Sequence, residues 1–192
     1  MIRARHSELF TQRPRTRYLY YPRTSPVPAG VAADIRGRSF RIFAEVTLTS
    51  DARGVIFAHG SRFGGHALFI KRRQLYYVYN FLGTEPEQVF VSSPLTPGPH
   101  ALEVEFTRER SGRYGEAIGT TRLIIDDVLV AKGPMRTQTG HFVLCGEGLC
   151  VGYDSAESVS QEYQSPAPFC DGRIHGVGVD VCELGYLQFG RP

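Results

Sequence analysis

The sequence predicts an all-β fold, an antiparallel β-sandwich of jelly-roll type. Three observations predict it. Several segments alternate apolar and polar residues with a period of two, as strands with one buried face do. Glycine and proline number 21 and 12 of the 192 residues and are spread along the chain, so many turns separate short strands. No stretch holds a 3.6-residue period, and no internal repeat points to a propeller or a β-helix. Apolar residues make up 42% of the chain, enough to build one core.

Residues 1–19 read as an Arg-rich tail or linker and residues 20–192 as the sandwich domain. Pro22, Pro26 and Pro28 resist regular structure at the junction. Residues 38–49 give the clearest strand, with Phe40, Ile42, Ala44, Val46 and Leu48 on one face and Arg41, Glu45, Thr47 and Thr49 on the other. Asp51 to Gly54 then reads as a turn. Residues 55–59 are apolar on both faces, which suits a central strand. Residues 67–71 and 74–81 form the next pair around the basic turn Lys71-Arg72-Arg73.

Val89, Phe90 and Val91 make a short strand. Residues 100–107 place Leu102, Val104 and Phe106 inward, and Glu103 and Glu105 outward on the solvent side. Residues 121–125 and 128–131 flank Asp126-Asp127, a hairpin turn. Residues 141–144 and 149–153 flank Gly146-Glu147-Gly148, a second hairpin. Residues 154–168 are a polar loop. Val177, Val179 and Val181 set the phase of a last strand over residues 173–181, and Ile174 breaks that phase, which predicts a bulge near Gly176.

Charge is placed unevenly. Residues 1–24 hold six arginines against Glu8 alone, while the whole chain is only +3, so the rest is slightly acidic. A nucleic-acid partner would require a basic face on the fold itself, and none is expected. No apolar run approaches the roughly 18 residues of a membrane span, so no membrane partner is expected. No apolar stretch follows the N-terminal arginines as in a secretory signal, and a cytoplasmic location is expected.

Three local groupings carry candidate chemistry. His59, Arg62 and His66 surround a Gly-rich turn, where a guanidinium fork and flexible backbone suit an anion such as sulfate. The same residues also suit an ordinary turn between core strands. Two histidines alone make a poor metal site, and no metal is expected. In the second grouping, Tyr77, Tyr79 and Phe81 share one strand face, and Tyr76, Val78 and Asn80 share the other. Tyrosines suit a sugar-stacking platform or a domain interface, with Tyr76, Tyr79 and Asn80 as the candidates, or simply one core face and one surface face. Cys145 and Cys150 form the third, a possible cross-strand thiol pair, with buried reduced thiols as the alternative. Cys170 and Cys182 lie too far apart on one strand to bond each other. No acid–base pair with supporting neighbours and no G-x-S-x-G elbow is present, so no catalytic residue and no cofactor is expected.

Longer strings carry a resemblance. YYPRTSPVPAGVAADIRGRSFRIFAEV, GVIFAHGSRFGGHALFIK, LYYVYNFLG, LEVEFTRE and GPMRTQTGHFVLCGEGLCVGYD resemble the C-terminal region of a group of bacterial arylsulfatases, over about residues 20–181. The resemblance implies a concanavalin A-like, laminin-G-like sandwich that follows an alkaline-phosphatase-like catalytic domain. Sulfatases carry a Cys/Ser-x-Pro-x-Arg signature, and the nearest string here, Ser92-Ser93-Pro94-Leu95-Thr96, has Thr in place of Arg. The resemblance therefore implies a non-catalytic accessory lobe packing on a sulfatase catalytic domain, in cis or in trans. The alternative is a stand-alone lectin-like module for an acidic or sulfated glycan. Laminin-G-like domains sometimes hold calcium on loop carboxylates, but Asp126, Asp127, Asp154 and Glu157 are spread over separate turns and read as turn acids.

Overall fold

The computed structural model describes residues 15–182, apart from residues 84, 85, 141–143, 145, 147 and 156. Ten strands are described: β1 (Arg15–Tyr20), β2 (Phe40–Ser61), β3 (Gly64–Lys71), β4 (Gln74–Asn80), β5 (Gln88–Pro94), β6 (Gly98–Ser111), β7 (Ala117–Ile125), β8 (Val128–Thr137), β9 (Leu149–Val151) and β10 (Cys170–Cys182). Every pairing between them is antiparallel. The predicted all-β sandwich is the fold.

The expected turn at residues 51–54 is instead part of one 22-residue strand, β2. Its first half pairs with β10 and β6, and its second half with β3 and β9. Gly54, at φ 102°, stands where the strand passes from one sheet to the other. The first sheet therefore runs β1-β10-β2-β6-β7-β8 and the second β9-β2-β3-β4-β5, with β2 common to both. Arg15–Tyr20, the end of the expected tail, is a strand paired with β10. Its period-two signal is short, and its Arg17 is drawn in by Asp180.

Three local expectations hold. Arg72 and Arg73 (φ 51° and 64°) turn β3 into β4, and Asp126 and Asp127 (φ 50° and 67°) turn β7 into β8. Both are two-residue loops with both central residues left-handed, the geometry that matches strand twist. β10 slips register between Ile174 and Gly176, the expected bulge. The expected hairpin of 141–144 with 149–153 differs: Leu149–Val151 pairs with β2, and residues 141–143 lie outside the described residues.

The main core lies between the sheets. Phe40, Ile42, Val104, Phe106, Val177 and Val179 meet Phe57, Leu68, Tyr77, Tyr79 and Phe90 there. On the far side of the second sheet, Val55, Ala58, Ala67, Phe69 and Val78 are covered by Val159, Tyr163 and Ala167 of the 154–168 loop. That loop is thus a lid over a sheet, and its buried Asp154 carboxylate accepts from Val159 N (3.1 Å) and the Tyr163 hydroxyl (2.6 Å). At the opposite edge, the Gln88 carboxamide donates to Arg136 O (2.8 Å) and accepts from Arg136 N (2.7 Å), so a side chain joins β5 to β8.

The Phe43 ring lies on the backbone of Gly178, where an added methyl would run into it. Gly178→Ala is expected to displace the ring and lower stability by about 1–3 kcal/mol, as overpacking does. A urea midpoint equal to that of the parent would contradict this contact.

Candidate functional site

The structure turns most of the expected site residues inward. His59 and His66 stand opposite each other on β2 and β3, both buried and facing the inter-sheet core. His66 Nδ1 is hydrogen-bonded to the Tyr77 hydroxyl at 2.8 Å, and its ring lies 4.6 Å from that of Tyr79. Neither ring nitrogen of His59 has a hydrogen-bond partner among the described residues. Burial, with help from the Arg36 guanidinium, lowers the His59 pKa to about 4, and burial lowers that of His66 too. Both are therefore neutral near pH 7 and lend no positive charge to an anion beside Arg62.

Tyr79 is fully buried and accepts a hydrogen bond from Gln138 N (2.7 Å), and its pKa is pushed up by burial. Asn80 is buried, donating to Val159 O (2.9 Å) and Arg62 O (3.1 Å), so it fastens the lid loop. Tyr76 is half-buried and stacks on Phe69 at 5.1 Å. Arg62 alone of the set is exposed, and it pairs with Glu157 at 3.2 Å. The β4 strand thus follows the alternation read from sequence, but both of its faces are covered. Cys145 lies outside the described residues, and Cys150 is buried on β9. Among the described residues no three His, Cys, Asp or Glu side chains gather to hold a metal.

Glu103 and Glu105 were expected on the solvent side. Glu105 is fully buried, and the Glu103 side chain is only 15% exposed. They belong to a row of charges across the outer face of the first sheet. The register places Arg17, Asp180, Arg41, Glu105 and Arg122 side by side on five successive strands. Arg17 grips Asp180 through two hydrogen bonds (2.6 and 2.8 Å), Arg41 pairs with Glu103, and Arg122 reaches Glu105 at 3.4 Å. Burial pushes the Glu103 carboxyl up to about 7, against the pull of Arg41. Along this row each charge stands across from one of opposite sign on the next strand, an arrangement that favours cross-strand pairing.

An open groove of about 870 Å³ lies elsewhere, where β1, β9 and β10 come together. Tyr21 and Arg23 follow β1, Tyr153 follows β9, Phe169 immediately precedes β10, and Arg173 and His175 come from its first half. Each is placed by local geometry. Arg23 has φ 65° in the turn after β1, and Phe169 N donates to Gly152 O at 2.8 Å. The Tyr153 hydroxyl donates to Thr24 O at 2.9 Å, tying the two sides together. The bulge between Ile174 and Gly176 sets the direction of His175, whose Nε2 lies 2.8 Å from Thr47 Oγ1.

The groove lining carries two guanidinium groups, one imidazole and no carboxylate. No carboxylate among the described residues pairs with Arg23 or Arg173. The aromatic faces offer apolar contact and the arginines offer forks for an oxyanion. Such a surface can hold a ligand that is both ring-shaped and acidic. Sequence reasoning did not single out these residues. They are scattered over residues 21–23, 153 and 169–175 and share no motif, and only the pairing of β1 and β2 with β10, and of β9 with β2, gathers them. The one available signal was Arg173 and His175, polar residues at positions where the phase of Val177, Val179 and Val181, carried back along β10, calls for apolar side chains.

No protein-family model matches the chain, and no curated protein matches it in sequence. Solved structures do match. The mouse laminin α1 chain, domains LG4-5, superposes with a TM-score of 0.56 at 9% identity, over 83% of this chain and 40% of that one. The chain thus spans well under half of the laminin fragment. A CBM40 module of the Ruminococcus gnavus IT-sialidase, solved with α2,3-sialyllactose, superposes with a TM-score of 0.51 at 10% identity, over 74% of this chain and 75% of that one. These likenesses show the fold, a laminin-G-like jelly-roll sandwich.

Proposed function

We propose that this sandwich is a non-catalytic binding module for an acidic glycan, held in the groove of Tyr21, Arg23, Tyr153, Phe169, Arg173 and His175. One observation carries the reading: a groove of about 870 Å³ lined by two arginines, a histidine and aromatic rings, with no carboxylate among its lining residues. A carboxylate or sulfate would meet the guanidinium groups, and the sugar ring would lie on an aromatic face. The volume falls within the roughly 300–1,000 Å³ typical of small-molecule sites. The R. gnavus module of similar fold, solved with sialyllactose, lends support by analogy of fold only.

The arylsulfatase resemblance supplies a setting for such a module. It would sit beside a sulfatase catalytic domain, in cis or in trans, and bring an acidic or sulfated glycan to it. The tyrosines of β4 would take no part in that docking, because they are covered on both faces.

Calorimetric titration with sialyllactose, sulfated lactose and neutral lactose tests the reading. An acidic sugar is expected to bind, and lactose to bind at least tenfold more weakly. Arg23→Ala and Arg173→Ala are each expected to weaken binding by about tenfold to a hundredfold, the worth of a charge-assisted hydrogen bond. Equal binding of lactose, or variants that bind like the parent, would overturn it.

A further inference from the structure

A second cavity lies next to the groove. It measures about 350 Å³ and lies between the β3–β4 turn, the sheet-crossing point of β2 and the lid loop. Its apolar wall is made by Val55, Phe69, Ile70, Tyr163 and Ala167. Val55, Phe69 and Ile70 are buried, and Tyr163 meets Phe69 edge-on at 5.0 Å, so this wall is set by packing before any ligand arrives.

The two cavities share a wall. Pro168 lines both, the groove continuing on Phe169 and the second cavity on Ala167 and Cys170. The ridge between them is held on both sides. Val55 N donates to Ala167 O (3.3 Å), and Phe169 N donates to Gly152 O (2.8 Å). Gly54 packs so closely on Pro168 that a side chain there would strike the Pro168 carbonyl. A polar, cationic groove and an apolar cavity thus stand on the two sides of one fixed segment.

We infer that the two cavities take one amphipathic ligand, an acidic glycoside whose sugar occupies the arginine groove and whose apolar aglycone crosses Pro168 into the second cavity. This rests on the proposed acidic-glycan reading and extends it to the ligand's other end. The charge distribution fits. Cations sit in the groove and at the cavity rim, where Lys71 is matched by Glu162 at 2.8 Å and Arg53 by Asp171. The acidic sugar therefore goes to the groove, whose Arg23 and Arg173 no described carboxylate matches, and the wall of the second cavity suits a chain without charge.

The probes are methyl and octyl α-glycosides of N-acetylneuraminic acid, titrated below micellar concentrations, with octyl glucoside as the neutral control. The octyl sialoside is expected to bind at least tenfold more tightly than the methyl sialoside. Ala167→Phe, which fills the cavity from a half-buried position, is expected to remove that increment and leave the methyl sialoside unchanged. Arg72→Glu, an exposed rim change, is expected to keep the increment, because the aglycone is uncharged. Equal affinities of the two sialosides, an increment that survives Ala167→Phe, or octyl glucoside binding as tightly as octyl sialoside would overturn the bridging inference alone. Failure of both sialosides to bind, with both variants folded by thermal unfolding, would overturn it together with the sialoside form of the groove reading.

Discussion

Asp180→Ala is expected to lower the free energy of unfolding by about 3–5 kcal/mol, the range for removing one partner of a buried ion pair. Asp180 has no exposed surface and takes both hydrogen bonds of Arg17, while Arg41 stands 3.8 Å from its other side and is itself only 2% exposed. Its loss leaves Arg41 in a low-dielectric site beside a weaker set of counter-charges, and it releases β1 from β10. The loss should appear as a large drop in the urea midpoint. A second variant separates charge from packing. Arg17→Met with Asp180→Leu removes both members of the doubly hydrogen-bonded pair and leaves Arg41 with Glu103, so it is expected to recover part of the stability, because an apolar replacement of an ion pair is often neutral or stabilising. If Asp180→Ala lost less than about 1 kcal/mol, the row would be a set of weak surface pairs.

Acid is expected to unfold the protein mainly through His59 and His66. Burial holds both pKa values below the ordinary 6.5, that of His59 at about 4. The unfolded chain takes up these protons near pH 6.5, and the folded chain does so only at lower pH. The His59 contribution is therefore complete above about pH 6.5 and is lost as pH falls toward 4, and that of His66 falls in the same direction as pH drops. At about 1.4 kcal/mol per pH unit, His59 alone is worth on the order of 3 kcal/mol across that window. Glu103, raised to about 7, works the opposite way, losing its contribution as pH rises from about 4.5 to 7. Two histidines against one carboxyl leave a net acid lability. His59→Leu isolates the first histidine. It removes two buried nitrogens that have no partner among the described residues, so it is expected to match or exceed the parent at pH 7 and to flatten the acid limb. Parallel stability curves from pH 7 to 4 for parent and variant would contradict this account.

The parts of the fold that were legible share one property: their cause is local. The turns at Arg72-Arg73 and Asp126-Asp127 follow from residues that accept left-handed backbone between two alternating segments. The β10 bulge follows from Ile174 breaking the phase of Val177, Val179 and Val181. The faces of β4 also came out as alternation required. What alternation could not say was that neither face meets water, because the lid that covers Tyr76 and Asn80 comes from residues 154–168, some eighty positions away. The same gap explains the histidines. A Gly-rich turn with polar residues looks exposed in sequence, yet His59 and His66 fall on the inward phase of strands that run deeper than the turn suggests. Glu103 and Glu105 were placed on the right face of β6. Their burial needed Arg41 and Arg122 from the neighbouring strands.

By itself the sequence determined that the chain is built of strands, where most of them lie, and which residues share a face, because hard-sphere backbone geometry turns each successive side chain to the opposite side. Only the tertiary structure decided which faces are covered, that β2 serves both sheets, and that Arg23, Tyr153 and Arg173 line one groove. Those outcomes depend on which strands pair across long stretches of chain, and burial and electrostatic environment are set by what packs against a residue, not by its neighbours in sequence.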